Sequence, residues 1–403
     1  MIMSQQPTAA SALPLQGIRI LDLTQVMFGP IATQVLGDFG AEIIKIEKPK
    51  GGDLSRGYDH FAKEDGGESA YFMAMNRNKR SLAIDLTKPQ GLAIAKQIAL
   101  QSDVLVHNFR PNVVERLGLD YETLAKENPR LIHASGSGFG DSGPLAHKGG
   151  QDLLAQALSG IAFRNTDPSG QPQLFPTALG DYSAGMILAQ GIMLALFQRE
   201  RTGIGQKVKV NLLDTLLAMQ QQEVTQLLLR NQETNWLKQN PMWIFPTEDG
   251  YVVLVAAYRP NPISDLCHAL AIDDITLQPS FANLGEQMKR RDELYAYLSK
   301  GFARYTTQEC LKRLDDADLL CAPVLSLGEA TRHPQVVHNG TMIELDHPHH
   351  RTFETVGNVL RLSSVHDIAK RPPPMLGQHT DEILESLGYG ADRRAELRVA
   401  GIL

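Results

Sequence analysis

Residues 18–47 read IRILDLTQVMFGPIATQVLGDFGAEIIKIE, and their pattern decides the fold. The apolar run from Ile18 to Leu23 predicts a buried strand, and Glu42 to Glu47 predicts a second strand. Between them, Pro30 to Asp38 predicts a helix, because proline is tolerated in a first helical turn. A strand, a helix and a strand with short connections form a βαβ unit, in which the strands are parallel and the crossover is right-handed.

The same order of elements recurs further along the chain. Leu82 to Leu86 predicts a strand and Gln90 to Gln101 a helix. Val104 to Val106 and Arg130 to Ala134 predict two further strands. Repeated βα units predict an α/β fold with a doubly wound, Rossmann-like parallel sheet that binds ligands at the carboxyl ends of its strands. No G-x-G-x-x-G follows the first strand and the chain has no G-x-x-x-x-G-K-[ST], so neither an NAD site nor a P-loop is predicted.

Size and composition narrow the class of protein. A chain of 403 residues exceeds one ordinary core, which predicts two domains. Its 39 basic and 45 acidic residues give a net charge of −6, which offers no reason to expect nucleic acid or an anionic membrane as partner. Three cysteines at wide spacing argue against a disulfide framework and a zinc site. The N-terminal residues lack a signal-peptide pattern, and the most apolar stretch, Ala184 to Phe197, has only 14 residues, so we expect a cytoplasmic protein.

The composition changes after residue 230. Asn, Gln, Trp and Pro crowd residues 231–246, which we interpret as a linker. Ahead of it, Leu212 to Arg230 predicts one long helix. The sequence therefore predicts a large domain over residues 1–230 and a small domain with linkers over residues 231–329.

Basic residues cluster in three loops next to the predicted strands. Lys48 to Arg56 follows the second strand, and Asn76 to Arg80 precedes the third. Asn108 to Pro111 follows the fourth strand, with Arg116 shortly beyond. In a chain of net negative charge, such loops predict an anionic, phosphate-bearing ligand. For any single loop, solvated surface charge is the alternative, because Lys and Arg are mostly exposed.

One acidic residue lies at the start of a long apolar segment. Thr177 to Gly203 reads TALGDYSAGMILAQGIMLALFQRERTG, which predicts a helix with arginine in its last turn and glycine just past its end. The interior is apolar on nearly every face, which predicts burial. Asp181 follows a glycine at the predicted helix start, where backbone N–H groups stabilise a carboxylate. These residues leave two interpretations open, a helix N-cap and a nucleophile.

Several stretches resemble one known family. They run in order from residue 13 to about residue 388 and include LPLQGIRILDLTQ, GAEIIKIEKPKGGDLSRG, NRNKRSLAIDLTKPQG, DVLVHNFRPNVVERLGLDY, LGDYSAGM and PMLGQHTDEIL. The chain resembles the family III coenzyme A transferases, a group that also contains carnitine CoA-transferase and the α-methylacyl-CoA racemases. The resemblance implies that residues 330–403 complete the large Rossmann-like domain. It also implies a homodimer of two interlocked chains.

The resemblance further implies an activity and a site. The activity is transfer of CoA from an acyl-CoA donor to a small carboxylic acid acceptor through an aspartyl-CoA thioester, with CoA as a substrate and without a cofactor or metal. Asp181 occupies the position of the catalytic aspartate, and Gln151 and Asp152 are its expected neighbours. The implied CoA-binding residues are Met27, Phe28, Lys48, Ile84, Asp85, Leu86, Thr87, Asn108, Phe109, Arg110 and Arg116.

Two other functions are alternatives. An acyl-CoA racemase or epimerase needs two acid–base groups, and the resembling racemases have a histidine where this chain has Gln151. Glutamine exchanges no proton at neutral pH, which favours the transferase. The other alternative is a non-catalytic acyl-CoA-binding scaffold in which Asp181 is only an N-cap. Formyl-CoA transferases of this kind carry a glutamine at the position of Met27 and a glycine run that this chain lacks near residues 235–250, which argues against oxalate and formate as substrates. The resemblance to the family implies a different small dicarboxylate as acceptor and succinyl-CoA as donor.

Overall fold

The structure is a computed structural model that describes residues 13–60, 68–167, 169–348, 351–365 and 368–403. The chain forms two compact units, one from Met1–Gln220 and Gly340–Leu403 and the other from Gln221–Asn339. The second unit therefore begins before the predicted residue 231 and ends after the predicted residue 329. The helix predicted over Leu212 to Arg230 is interrupted, because the buried Gln220 donates its Nε2 hydrogens to the carbonyls of Ser159 and Leu216.

The strands are short, with four to six residues each. Their bounds are β1 Arg19–Asp22, β2 Glu42–Glu47, β3 Lys79–Ala83, β4 Val104–His107, β5 Ile132–Ser137, β6 Lys207–Asn211, β7 Met242–Pro246, β8 Tyr251–Val255, β9 Leu320–Pro323, β10 Met342–His347 and β11 Arg351–Val356. Strands β1 to β6 form one sheet in the order β3-β2-β1-β4-β5-β6, and every neighbouring pair in it is parallel. The predicted α/β fold with a parallel sheet is confirmed. Because the strand order reverses between β1 and β4, a crevice is expected at the carboxyl ends of these two strands.

Helices account for most of the remaining structure. They are α1 Phe28–Asp38, α2 Ala70–Met73, α3 Pro89–Leu100, α4 Val113–Arg116, α5 Tyr121–Leu124, α6 Asp152–Leu158, α7 Ile161–Arg164, α8 Leu179–Thr202, α9 Leu212–Met219, α10 Gln221–Arg230, α11 Trp236–Gln239, α12 Pro262–Ala269, α13 Leu284–Lys289, α14 Arg291–Phe302, α15 Thr307–Asp316, α16 Leu327–Arg332, α17 Pro334–His338, α18 Thr380–Ser386 and α19 Ala391–Val399. Short 3-10 helices cover Leu54–Gly57, Ile275–Leu277 and Pro279–Phe281.

Helices cover both faces of the six-stranded sheet. Ile20 of β1 belongs to an apolar cluster with residues of α1 and α8, whereas its neighbour Leu21 belongs to a cluster with residues of α3 and α18. Successive strand residues point to opposite faces, so this division follows from the pleat. A sheet buried on both faces explains why its strands appear in the sequence as continuous apolar runs.

One strand boundary differs from its prediction. The strand predicted over Leu82 to Leu86 is β3, which begins at Lys79 and ends at Ala83. Lys79 is fully buried and its Nζ contacts the Asp22 carboxylate. Because the strand begins with a buried, paired lysine, a search for apolar runs places its start too late. Ile84 to Thr87 therefore lie in the loop that follows β3, at the carboxyl edge of the sheet.

Helix α8 is more exposed than expected. It spans 24 residues, and length and composition alone would allow it to cross a membrane. Leu188 and Ile192 pack into the core beneath the sheet, whereas Leu194 and Phe197 on the other side are 62% and 59% exposed. The prediction of a helix buried on nearly every face is therefore wrong for the single chain. A helix that is apolar on all sides has to be covered on all sides to be buried. This chain covers only the side of α8 that faces the sheet.

The second unit has its own core. Its sheet, β7-β8-β9, is antiparallel and packs against helices α12, α14 and α15. The rings of Phe245 and Phe302 stack at the centre, with centroids 4.2 Å apart. A separate two-stranded antiparallel sheet, β10-β11, belongs to the first unit.

Candidate active site

A cavity of about 730 Å³ opens at the carboxyl ends of β1, β2 and β3. Segments that follow the parallel strands form most of its wall, as expected for the switch point of a doubly wound sheet. The lining residues are Leu23, Thr24, Gln25, Lys45, Ile46, Glu47, Lys48, Pro49, Lys50, Gly52, Asp53, Ile84, Asp85, Leu86, Thr87, Lys88, Phe109, Val113, Arg116, Leu117 and Gly401.

The chemistry of the cavity wall suits a phosphate-bearing ligand. Lys48, Lys50 and Arg116 are exposed cations on the wall, and the apolar Phe109 and Leu117 lie among them. Cationic groups beside apolar surface match a molecule that carries both phosphates and an apolar part. Seven residues implied by the family resemblance lie on this wall: Lys48, Ile84, Asp85, Leu86, Thr87, Phe109 and Arg116.

The loop after β3 is held at both ends. Asp85 donates its backbone N–H to the Ile402 carbonyl at 2.9 Å, and its carboxylate accepts hydrogen bonds from the backbone and hydroxyl of Thr87. A Cβ at Gly91 would come within 2.1 Å of the Asp85 carbonyl oxygen, so only glycine fits there. These contacts give the loop one shape before any ligand arrives.

Four further residues implied by the resemblance lie outside this wall. The Phe28 ring is buried in the core, where a Cβ at Gly136 would come within 2.8 Å of it. Asn108 bonds to both backbone groups of Gln25. The exposed Arg110 lies against Gly149, and the half-buried Met27 immediately precedes α1. These four residues therefore lie next to the cavity, on the segments that follow β1 and β4, and not on its wall.

One of the three basic loops does not belong to the site. Asn76 to Asn78 precede β3, and Lys79 and Arg80 are its first two residues, so this segment lies at the amino ends of the strands, opposite the cavity. Arg77 pairs with Asp38 at 2.6 Å and Arg80 pairs with Glu42 at 2.5 Å. Arg56, from the loop after β2, is likewise neutralised by Glu47. The count of basic residues therefore overstated the charge available to a ligand.

A buried network of charges lies in and behind the cavity wall. Lys45 contacts Asp53 at 2.8 Å, and Lys79 contacts Asp22 at 3.1 Å, with all four side chains fully buried. Burial alone would raise the pKa values of Asp22 and Asp53, but the two lysines hold both below the usual range. Sequence reasoning missed Lys45 and Asp53. The available signal was a lysine inside the apolar strand β2, where a charge requires a buried partner.

The Asp152 carboxylate, at the start of α6, lies near the carboxyl end of the sheet. Gly138, just after β5, and Gly150 pass so closely that a Cβ on Gly138 would come within 2.3 Å of the Gly150 Cα. This contact places Gln151 and Asp152 beside the carboxyl end of β5. The Gln151 side chain is exposed, whereas Asp152 is buried.

Asp152 caps the helix that carries Asp181. Its Oδ1 accepts hydrogen bonds from the backbone N–H groups of Gly180 at 2.6 Å and Asp181 at 3.0 Å. Helix α8 begins at Leu179 and its N-cap residue is Ala178, so the interpretation of Asp181 as the N-cap is wrong. A Cβ at Gly180 would come within 2.8 Å of the same Oδ1, which explains the glycine directly ahead of Asp181.

The capping arrangement leaves the Asp181 carboxyl available for chemistry. Burial, together with the negative charge of Asp152, raises the pKa of Asp181 to about 7. At neutral pH this half-buried carboxyl is therefore poised between its acid and its more basic carboxylate form. Such a group is suited to accept a proton or to attack a carbonyl carbon.

Asp181 lies outside the cavity wall but close to a segment that forms it. Gly185, one helical turn further along α8, packs against the start of α1, where a Cβ would come within 2.7 Å of the Phe28 carbonyl oxygen. Residues four apart share one face of a helix, so Asp181 continues the same face. The connection between β1 and α1 thus joins the cavity, through Thr24 and Gln25, to the helix of Asp181.

These features define a class of protein, an α/β fold with a doubly wound sheet and a strand-end cavity lined with cations. Comparison with known proteins gives the family. The model of CoA-transferase family III matches residues 15–380, and the chain belongs to this family.

Individual relatives agree over nearly their whole length. The chain is 34% identical to the succinyl-CoA:glutarate CoA-transferase of Mus musculus, over 99% of this chain and 92% of that protein. It is 31% identical to the formyl-CoA:oxalate CoA-transferase of Rhodopseudomonas palustris, over 96% of each. The crystal structure of a CaiB/BaiF family protein from Brucella suis superposes with a TM-score of 0.85 at 26% identity, covering 94% of this chain and 100% of that one. The chain is a CoA-transferase.

Proposed function

We propose that this enzyme moves CoA from an acyl-CoA donor to a carboxylic acid acceptor through a thioester on the Asp181 carboxyl group. The observation that carries the proposal is the placement of Asp181, a half-buried carboxyl in the first turn of α8 whose pKa burial raises to about 7. Its backbone is fixed by Asp152. A carboxylate held in this way is more basic than an ordinary one and therefore a better nucleophile.

The reaction then proceeds by exchange of activated acyl groups. The Asp181 carboxylate attacks the donor thioester, the C–S bond breaks, and a mixed anhydride and the CoA thiolate form. The thiolate attacks the Asp181 carbonyl of the anhydride, which gives the aspartyl-CoA thioester and releases the donor acid as its carboxylate. The acceptor carboxylate attacks this thioester, and the thiolate so released attacks the acceptor carbonyl. This yields the new acyl-CoA and restores the Asp181 carboxylate.

The cavity is the proposed binding site for CoA. Lys48 and Arg116 supply charges for its phosphates, and Phe109 and Leu86 supply apolar surface. Met27, Phe28, Asn108 and Arg110 are proposed to guide the thiol end toward Asp181. Replacement of Lys48 by alanine should weaken CoA binding, measured by calorimetry, whereas replacement of the exposed Lys312 should leave it unchanged.

The proposed substrates are a small dicarboxylic acid as acceptor and succinyl-CoA as donor. This class is supported by the similarity to the mouse protein, a succinyl-CoA:glutarate CoA-transferase. Met27, where formyl-CoA transferases carry a glutamine, argues against oxalate and formate. Gln151, exposed beside Asp152, has no ionisable group, which supports transfer over racemisation.

A homodimer is proposed to cover the exposed side of α8. The apolar residues of this surface come from four helices of the first unit: Leu153, Leu154, Leu158, Phe163, Tyr182, Ile187, Met193, Leu194, Phe197, Leu217 and Met219. Exposed apolar side chains in this number on neighbouring helices mark an association site. Light scattering should give two chains for the wild type and one for a variant with Leu194→Glu and Phe197→Glu, whereas Val399→Glu, also at an exposed apolar residue, should stay dimeric.

Trapping of the loaded enzyme tests the central proposal. The protein is incubated with succinyl-CoA and then with hydroxylamine, which converts an aspartyl thioester to a hydroxamate. Mass spectrometry of the peptides should find the hydroxamate at Asp181, and a panel of free acids should reveal which acid accepts CoA. CoA exchange with a hydroxamate at Asp152, or at no aspartate, would contradict the mechanism.

A further inference from the structure

The connection between β1 and α1 contains a strained residue. Val26 has a φ of 67°, in the left-handed region that β-branched side chains strongly disfavour. Other described non-glycine residues with positive φ include Asn78, Asn112 and Asp318, types that tolerate this conformation. Of the described residues with positive φ, Val26 is the β-branched one. Strain of this kind persists only where surrounding contacts impose it, and it concentrates at functional sites.

Side chains from three other segments impose the conformation. Asp53 accepts the Val26 N–H at 3.0 Å. The Asn108 carboxamide bonds to the N–H and carbonyl of Gln25, both at 2.8 Å. The Lys45 ammonium donates to the Thr24 carbonyl at 2.7 Å. Three consecutive residues of the connection are therefore held by side chains rather than by a sheet or a helix.

Asp53 is itself fixed, and it lies on the cavity wall. Its second carboxylate oxygen contacts Lys45 at 2.8 Å, and its backbone N–H donates to Glu47 at 3.0 Å. It belongs to the same loop as Lys48 and lines the cavity with it. A ligand that binds the exposed Lys48 therefore contacts the loop whose buried Asp53 side chain holds Val26.

The other end of the connection reaches the helix of Asp181. Phe28 follows Val26 by two residues, and its carbonyl oxygen lies against α8 at Gly185. A change in the Val26 backbone would move the start of α1 relative to α8. The contacts thus run from the cavity wall through Asp53, Val26 and Phe28 to one turn beyond Asp181.

We propose that Asp53 is a positioning residue that keeps Val26 in its strained conformation and so aligns the cavity with Asp181. This inference rests on the proposed function, because it assigns Asp53 a part in presenting the CoA thioester to Asp181. The alternative is a purely structural ion pair with Lys45, which would affect the stability of the fold but not the turnover of folded enzyme.

Glycine at position 26 separates these two roles. Asp53→Ala removes the acceptor of the Val26 N–H, and we expect kcat to fall by about tenfold to a hundredfold, with a change of less than about threefold in the KM of the acyl-CoA. Glycine adopts positive φ without a clamp, so Val26→Gly combined with Asp53→Ala should recover kcat to within about threefold of Val26→Gly alone. The melting temperature should stay low in the double variant, because Lys45 has still lost its partner.

Two further variants control for the loss of charge and of hydrogen bonds. Ser55→Ala removes a hydrogen bond to the same Asp53 oxygen but leaves the Val26 contact, and kcat should not change. Asp53→Asn keeps an acceptor for Val26 and should retain kcat within about threefold, although Lys45 loses its counter-charge. If Asp53→Ala does not fold, Asp53→Asn still separates the role of the acceptor from that of the charge. A loss of kcat of about tenfold or more in Asp53→Asn would overturn the proposal.

Amide hydrogen exchange tests the clamp without any assay of activity. The Val26 amide of the wild type should exchange slowly, and added CoA should slow it further, whereas Asp53→Ala should exchange at least about tenfold faster. An unprotected Val26 amide in the wild type, or a double variant as slow in turnover as Asp53→Ala, would overturn the proposal. If the wild type transfers no CoA at all, the proposed function fails, and the exchange measurement still decides whether the clamp exists.

Discussion

Two groups of carboxylates in the first unit, both shielded from solvent to different degrees, have opposite surroundings. Asp22 and Asp53 face the buried lysines Lys79 and Lys45, which hold their pKa values low despite burial. Asp181 faces another carboxylate, Asp152, and burial with this second charge raises the pKa of Asp181 to about 7. The difference shows that burial alone does not identify a reactive carboxyl, because the sign of the neighbouring charge decides whether the group is neutralised or remains available.

The largest expected effect is at Asp181. Asp181→Asn keeps the shape of the side chain but removes the nucleophile, so turnover should fall by at least about 10³-fold. CoA should still bind, because the cavity wall is unchanged. Steady-state CoA exchange and calorimetry measure the two quantities, and Asp141→Asn, at an exposed aspartate after β5, is the matched control. Retained turnover in Asp181→Asn would remove Asp181 from the reaction.

Loss of the charge paired with Asp22 should affect the stability of the fold and not the turnover. Lys79→Met leaves Asp22 buried without its cation, and the free energy of unfolding should fall by about 3–5 kcal/mol, because a single buried charge is costly. Activity per folded molecule should change little. Urea denaturation measures the loss, and Lys312→Met, which breaks an exposed pair with Asp316, should cost less than about 0.5 kcal/mol. A loss in Lys79→Met as small as this would mean that Asp22 finds another partner.

Much of the fold and part of the candidate site could be predicted from the sequence. The apolar runs around Ile20 and Ile44 specify the parallel sheet, because both of its faces are covered by helices. The family motifs located the strand-end loops, and Lys48 and Arg116 do lie on one cavity wall. Asp181 was found from its glycine and the apolar helix after it, and its role stays a prediction.

The partners of the charged residues could not be predicted, because they depend on contacts between segments that are distant along the chain. Asp152 caps α8 across 28 residues, so the sequence suggested that Asp181 capped its own helix. Arg80 and Arg56 seemed available to a ligand, but their acidic partners lie on other segments. The strain at Val26 is equally hidden, because Asp53 imposes it from another loop.

Gly180 offers a test of the Asp152 cap. A methyl group there would lie 2.8 Å from the Asp152 oxygen, so Gly180→Ala should push that carboxylate away and displace Asp181. We expect kcat to fall by about tenfold to a hundredfold, because small displacements of a reacting group have effects of this size. Gly390→Ala, at a glycine with open space around it, should have no effect. Equal kcat in both variants would show that the cap does not position Asp181.

The smallest expected effect is a shift in the pH dependence, and it tests the electrostatic part of the comparison. In the wild type, kcat/KM should rise with pH through about 7, as the Asp181 carboxyl ionises. Asp152→Asn can still accept the two backbone N–H groups through its oxygen, but it removes the neighbouring negative charge. The inflection should therefore move to lower pH, by about one unit. An unchanged inflection would mean that burial alone sets the pKa of Asp181.

The raised pKa of Asp181 also makes the stability of the fold depend on pH. The Asp181 carboxyl has an ordinary pKa of 3.8 when the chain is unfolded and one of about 7 when it is folded. Between these pH values the folded state holds a proton that the unfolded state has lost, so the contribution of Asp181 to the free energy of unfolding falls as pH rises through this window. Asp181→Asn removes this contribution, and its stability relative to the wild type should therefore increase from pH 4 to pH 7. Thermal melts of the two proteins across this range measure the difference, and parallel curves would show that Asp181 ionises normally in the folded chain.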